Sequence, residues 1–264
     1  MAVTTAVSVA GASPRGDLRR KLGYGALAVA ALIALWAVTA ASMNQPLLYP
    51  GPWETLVGML GQLVTADYWV AIGLSVGRIV LGFVVGSALG VIIGILIGSS
   101  RLVRTALEPY IHFFRSIIAI AWIAPAAIWF GVGSPSVIFL VIYASMFMVI
   151  VNTVQGMSEV EEQRIRMAQA AGASKLQTVL KISIPSSVPH ILSGMRVGMS
   201  NAFGTAIGAE MLVGIVGLGY TVYEARFLFE GAVMFGSIVV VGILGFLFNY
   251  VLSALAAVGL RRFA

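Results

Sequence analysis

The chain has 264 residues, 59% of them apolar and only 10% charged, with a mean hydropathy of +0.99. No water-soluble domain is this apolar, so the composition predicts a multi-pass protein of the cell membrane and a fold whose solvent is the lipid bilayer. The absence of cysteine and the presence of only two histidines exclude a disulfide framework, a thiolate metal site and a histidine-only zinc shell, while the net charge of +6 is carried in loops between apolar runs, which marks membrane topology and not nucleic-acid binding.

Residues 1–22 are Ala, Ser, Thr and Val around Arg15, Asp17, Arg19 and Arg20, without the periodicity to bury a core, and are expected to form a flexible cytoplasmic tail. Residues 23–264 read as one transmembrane domain. Its first apolar run, Tyr24 to Ala41, follows basic residues as a secretory signal does, but a length of about 18 residues and the spans after it favour an uncleaved helix. Ser42 to Trp69 has no Lys or Arg and is placed outside; within it Pro52 starts a short amphipathic helix with Trp53 as an interfacial anchor. The second span, about Val70 to Gly98, carries Gly73, Gly77, Gly82, Gly86, Gly90, Gly94 and Gly98, a small-residue face that lets another backbone approach closely.

Arg101 and Arg104 form a basic loop before a third span that starts near Pro109 and passes Arg115 and Pro125 to Phe130. A short uncharged turn leads to the fourth span, Ser136 to Val154. Next comes a polar insert at about 157–187, in which helix formers from Met167 to Ala171 are interrupted by Gly172, predicting two short helices that meet there. Pro185 is expected to close the insert and to begin the next helix. The fifth span is Pro189 to Val213, Gly214 to Glu230 lies outside, and the sixth span is Ala232 to Val258. Arg15, Arg19, Arg20, Lys21, Arg101, Arg104, Arg164, Arg166, Lys175, Lys181, Arg261 and Arg262 then fall in inside segments and Arg226 alone in an outside one, which puts both termini in the cytoplasm.

Four charges remain within spans or near their ends, where an unpaired charge costs at least ~2.5 kcal/mol at the bilayer centre. Counting along the helices places Arg78 and Glu210 in the same half of the membrane, predicting an ion pair. Arg115 and Arg196 fall in the other half, where they either snorkel or line an anion path. Pro125 can break the third span and expose backbone groups. Met146, Met199 and Phe203 are candidate apolar walls of the same path.

Catalysis finds little support. Gly73-Leu74-Ser75-Val76-Gly77 spells G-x-S-x-G, found also in rhomboid-type intramembrane serine proteases, but Ser75 belongs near the outer face and both His112 and His190 near the inner one. A Walker A loop needs Gly directly before its Lys, and Lys21, Lys175 and Lys181 follow Arg20, Ser174 and Leu180. ATP-driven work would need another polypeptide.

The insert resembles the EAA loop of ABC importer permeases, whose pattern is E-A-A-x3-G-x9-I-x-L-P. Ala168, Gly172, Ile182 and Pro185 match, Arg166 and Met167 stand where the family has Glu and Ala, and Ile184 replaces Leu. Trp129-Phe130-Gly131-Val132-Gly133 and Gly217-Leu218-Gly219-Tyr220 look like segments of the nitrate/sulfonate/taurine/bicarbonate-type permeases. The resemblance implies an all-α, six-helix, MetI-like permease fold and a homodimer around a translocation path, with two ABC ATPase subunits that hold ATP and Mg. It also implies an extracytoplasmic solute-binding protein, with no cofactor bound by this chain. Arg166, Met167, Ala168, Gly172, Ala173 and Ser174 would face the ATPase, with Ile182 and Pro185 holding the insert to the membrane core. Small oxyanions, sulfonates, bicarbonate and neutral vitamin precursors all stay open as solutes. A gradient-driven transporter or channel would leave the ordered insert unexplained, and a scaffold that carries nothing would be excluded by uptake into vesicles.

Overall fold

The computed structural model describes residues 14–260, with side chains from 23 to 257. The expected tail therefore lies largely outside the described residues, as do Arg261 and Arg262; its last part, from Pro14, is the start of helix α1 (Pro14–Met43). The described residues contain only helices and connecting turns. Among them α1, α3 (Ala66–Gly98), α6 (Ser134–Ser158) and α11 (Gly231–Leu260) include stretches long and apolar enough to cross a membrane. Two bent pairs, each counted as one span, bring the total up to six. The first is α4 (Arg101–Ser116) with a 3₁₀ turn (Ala119–Trp122) and α5 (Ile123–Phe130), bent by 84°. The second is Lys175–Val213 with α10 (Leu218–Phe227), bent by 48°.

The third span is broken, as Pro125 suggested it could be, but not at that proline. Pro109 does not start it but lies inside α4, and the break falls at Ile117 and Ile118. Pro125 sits in the first turn of α5, where its missing N–H costs no intrahelical bond. α2 (Pro52–Leu63) forms where the interfacial helix was expected, with Pro52 in its first turn, Trp53 exposed and Thr55 buried. It packs on α11: a Cβ on Gly58 would meet the Ala232 backbone, and one on Gly236 would meet Met59.

Glycine sets the closest contact of the bundle. Cβ atoms at Gly82, Gly86, Gly90, Gly94 and Gly98 would collide with Val141, Ser145, Val149, Thr153 and Met157 of α6 respectively. The register offset is constant along the pair, so α3 and α6 run parallel, backbone against side chain, over their shared length. Apolar burial gives little drive in lipid, and this contact gains its energy from dispersion at short range. The face is shorter than expected, because a Cβ at Gly73 or at Gly77 would meet nothing within 4 Å. On the other side α6 packs against α9 (Ile184–Val213) in the antiparallel sense, with Gly156 against His190 and Gly194 against Asn152. The core between these helices gathers Ile79, Phe83, Leu140, Val141, Ala202 and Ala206. α1 stands at the edge, held by Trp36 Nε1 donating to the Pro50 carbonyl at 3.1 Å and by Trp36 stacking on Phe235.

Candidate functional site

Three features carry chemistry: a buried charged node at one end of the bundle, a cleft at the broken span, and the polar insert at the opposite end. The node begins with Arg78, on the buried face of α3, and Glu210, in the last turn of α9. The structure brings these two together at 2.7 Å, with side-chain exposures of 7% and 0%. Such a pair persists only if the remaining donors and lone pairs are matched, and here both carboxylate oxygens and two of the three guanidinium nitrogens are. Ser75 Oγ lies 2.8 and 2.7 Å from the two Glu210 oxygens, and the Gly219 N–H donates to Oε2 at 3.1 Å. Arg78 donates from Nε to Ser134 Oγ at 2.9 Å and from Nη1 to the Val216 carbonyl at 2.8 Å, while the Leu218 N–H donates to Ser75 Oγ at 2.8 Å.

The backbone that supplies these partners is shaped for them. Gly214 ends α9 in the left-handed conformation, φ +71°, and turns the chain back over Glu210. A Cβ at Gly217 would sit 2.5 Å from the Glu210 carboxyl. The node ties α3, α6, α9 and α10 into one unit. Its charged pair follows from helical counting, whereas Ser134, Gly217 and Gly219 were not legible as partners, since a loop's fold around a carboxylate leaves no periodic trace. Ser75 is occupied by this node, and the histidines lie elsewhere, His112 at 4.0 Å from Glu108 and His190 at 3.0 Å from Glu159. The serine-protease reading is therefore set aside: Ser75 Oγ is held by a buried, ion-paired carboxylate and an amide, and neither histidine is within its reach.

At the broken span, Arg115, Ser116, Ile117 and Ile118 line a cleft of about 240 Å³ against Tyr143 and Phe147 of α6 and Asn201 and Thr205 of α9. The end of α4 frees carbonyls that need new donors, and Phe114 O accepts from Tyr143 Oη at 2.6 Å and from the Ile117 N–H at 3.1 Å. Of the path residues expected from sequence, Arg115 is on this cleft. Arg196 is half-buried, with its Nε lacking a hydrogen-bond partner among the described residues. Pro125 and Met146 are half-buried away from the cleft. Met199 and Phe203 are not walls of it: at 4% and 6% exposure they belong to the core, where Phe203 packs on Phe248. A methionine or phenylalanine in an apolar helix gives no sign of which side it faces. Asn201 and Thr205, one turn apart on α9, were the missed signal: polar residues at four-residue spacing in an apolar span.

The insert forms α7 (Glu162–Ala170) and α8 (Lys175–Thr178), which meet at Gly172, φ +88°. This is the left-handed position that favours glycine. Ser174 caps α8 in a reciprocal capping box with Gln177. Arg166, Met167, Gly172 and Ser174 are exposed, Ala168, Ala173, Ile182 and Pro185 half-buried. Arg166 pairs with Glu162 at 2.8 Å, and this hydrogen bond and charge, with a lesser contribution from Arg101, hold the Glu162 carboxyl below its ordinary range. Pro185 stands at the start of α9 as expected, but it does not close the insert. A π turn over Val179–Ser183 absorbs the proline's missing donor and ring bulk, and the helix runs on from α8 into α9. The insert and the fifth span are one rod.

Sequence comparison agrees with this geometry. The taurine transport system permease protein TauC of Escherichia coli K12 is 32% identical over 240 residues, covering 89% of this chain and 86% of that protein. The nitrate import permease protein NrtB of Synechocystis is 26% identical over 209 residues, 76% of this chain and 75% of that protein. In fold, the chain is similar to a subunit of the MetNI methionine ABC transporter in an inward facing conformation, with a TM-score of 0.64 at 19% identity over 75% of this chain and 96% of that one. Residues 86–264, which include the insert, the broken span's cleft and Glu210, match the family described as binding-protein-dependent transport system inner membrane component, and the chain belongs to that family of ABC importer permeases.

Proposed function

We propose that this chain forms the translocation path of an ATP-driven importer for a small solute, a small anion such as nitrate, a sulfonate, taurine or bicarbonate. It acts as a pair with a second copy, docked on two ABC ATPase subunits that hold ATP and Mg, and receives solute from an extracytoplasmic binding protein. The observation that carries this reading is the insert: an exposed helical knuckle at Gly172 that continues through the π turn into a membrane span. A push on the knuckle by a closing ATPase moves the rod, and with it the wall of the cleft that Asn201 and Thr205 provide. The acid that the family pattern puts at the position of Arg166 is present one turn earlier, at Glu162, on the same face of α7. Arg115 gives the cleft a cation without an acid, the charge an anion needs. The insert end then lies in the cytoplasm with both termini.

Purification of the tagged chain from native membranes tests the reading, beside a Gly172→Glu variant. ATPase activity accompanying the parent and lost from a folded variant is the expected result. No ATPase with either, under conditions that preserve membrane complexes, overturns the importer reading in favour of gradient-driven transport.

A further inference from the structure

α4 carries Arg115 to the cleft at the broken span without being packed into the bundle. It buries no residue, and a helix without buried side chains is not fixed in place by close packing. What grips its end is Phe114, the residue before Arg115. Tyr143 and Phe147 stand one turn apart on α6, their ring centroids 4.9 Å apart. Tyr143 Oη donates to the Phe114 carbonyl at 2.6 Å, and Phe147 stacks on the Phe114 ring with centroids 6.3 Å apart. From beyond the break, the Trp122 ring approaches Tyr143 to 5.7 Å between centroids. Tyr143 is thus met by the chain on both sides of the 84° bend.

The consequence concerns charge. Among the described residues no ion pair engages Arg115, so no acid sets the direction of its guanidinium; the backbone that carries it does. An arginine head within a membrane goes where its stem and its hydration allow. A shift of the α4 end would let it snorkel to the membrane surface instead of lining the cleft. The bond from Tyr143 opposes that shift, because its loss returns the carbonyl at a helix end to the state of an acceptor short of donors.

We propose that Tyr143 is a positioning residue for Arg115: by holding the Phe114 carbonyl, a neutral hydroxyl on α6 keeps the cation of α4 in the cleft, opposite Asn201 and Thr205. The cleft's attraction for anions then depends on a side chain that carries no charge itself. This inference rests on the importer reading for what the cleft is used for, while its test needs neither ATP nor a partner subunit.

The absence of cysteine makes that test direct. Thr205→Cys puts a single thiol on the α9 wall of the cleft. The full chain in nanodiscs is treated with two methanethiosulfonates of similar size, one bearing an ethylsulfonate and the other an ethyltrimethylammonium group. The ratio of the anionic to the cationic reaction rate reads the charge beside the thiol. Arg115→Gln is expected to lower this ratio about fivefold or more, the effect of one unit charge within a Debye length on probes of opposite sign, and Arg115→Lys to keep part of it. Tyr143→Phe should lower the ratio comparably and have no further effect in the Arg115→Gln chain. A role in packing alone would change both rates together and leave their ratio as it was. Where Tyr143→Phe does not fold, 4-fluorophenylalanine at position 143 keeps the size of the ring substituent and loses only the donor. A ratio indifferent to removal of the hydroxyl, an effect of that removal that persists in the Arg115→Gln chain, or no reaction of Thr205→Cys with either reagent would overturn the proposal. An intact dependence on Tyr143 without co-purifying ATPase would remove the importer reading and leave the positioning role standing.

Discussion

Glu210 has no exposed surface, and its two oxygens are met by a hydroxyl, a guanidinium and an amide. Removing one partner of such a set leaves a buried group unpaired, which costs about 3–5 kcal/mol when the lost partner is a charge. Glu210→Gln is therefore expected to lower the melting temperature in detergent sharply, and an Arg78→Met, Glu210→Met double variant to recover part of it. A melting temperature unchanged by Glu210→Gln would show that the charged pair is not what holds this end of the bundle together. The exposed Glu162–Arg166 pair is the opposite case. Its Glu162 carboxyl is held low by Arg166, so its contribution is present above the ordinary carboxylate range and is lost as pH falls through the lowered value. Fully exposed, it adds little to stability. Glu162→Gln should leave the melting temperature unaltered and reduce co-purifying ATPase severalfold. A fall in both would assign the pair to folding and not to docking.

At the scale of elements, the parallel contact of α3 with α6 depends on the absence of side chains at five glycines. Gly86→Leu or Gly90→Leu forces the helices apart and is expected to destabilise by at least ~1–3 kcal/mol, the range for overpacking. Gly73→Leu, with open space around it, should be silent by the same thermal melt. These glycines and the Arg78–Glu210 pair were legible because both follow from helical period alone. The break in the third span was not, since neither Ile117 nor Ile118 is a breaker by type, and the visible prolines misled: Pro109 is tolerated within α4, and Pro125 falls in the first turn of α5. Pro185 misled likewise. Its stop signal is real for an α-helix, but a π turn widens the backbone just before it, and no residue type announces a π turn. The cleft residues Asn201 and Thr205 were open to reading, and the partners of Glu210 in the Gly214–Gly219 turn were not.

At the scale of the molecule, α4 contributes no buried residue, although its end lines the cleft at Arg115, and α5, which follows the break, exposes Ile128, Trp129 and Phe130. A pair of copies meeting across this face would enclose the cleft. The absence of cysteine makes the idea simple to check: a single Ile118→Cys should give an oxidant-induced dimer in native membranes, and Ile243→Cys, on α11, should not. Cross-linking at Ile243 alone would move the shared face to α11.

The rod from Lys175 to Val213, roughly 58 Å at 1.5 Å per residue, carries the Gly172 knuckle beside one end and Glu210, with the Gly214–Gly219 turn, at the other. Two ligands that bias the position of one rigid body are thermodynamically linked, and linkage works equally in both directions. A ligand that engages the turn near Gly217 and favours one position of the rod changes the affinity of the knuckle for its own partner by a factor that the knuckle's partner must return. Measuring that factor from either end gives the same number.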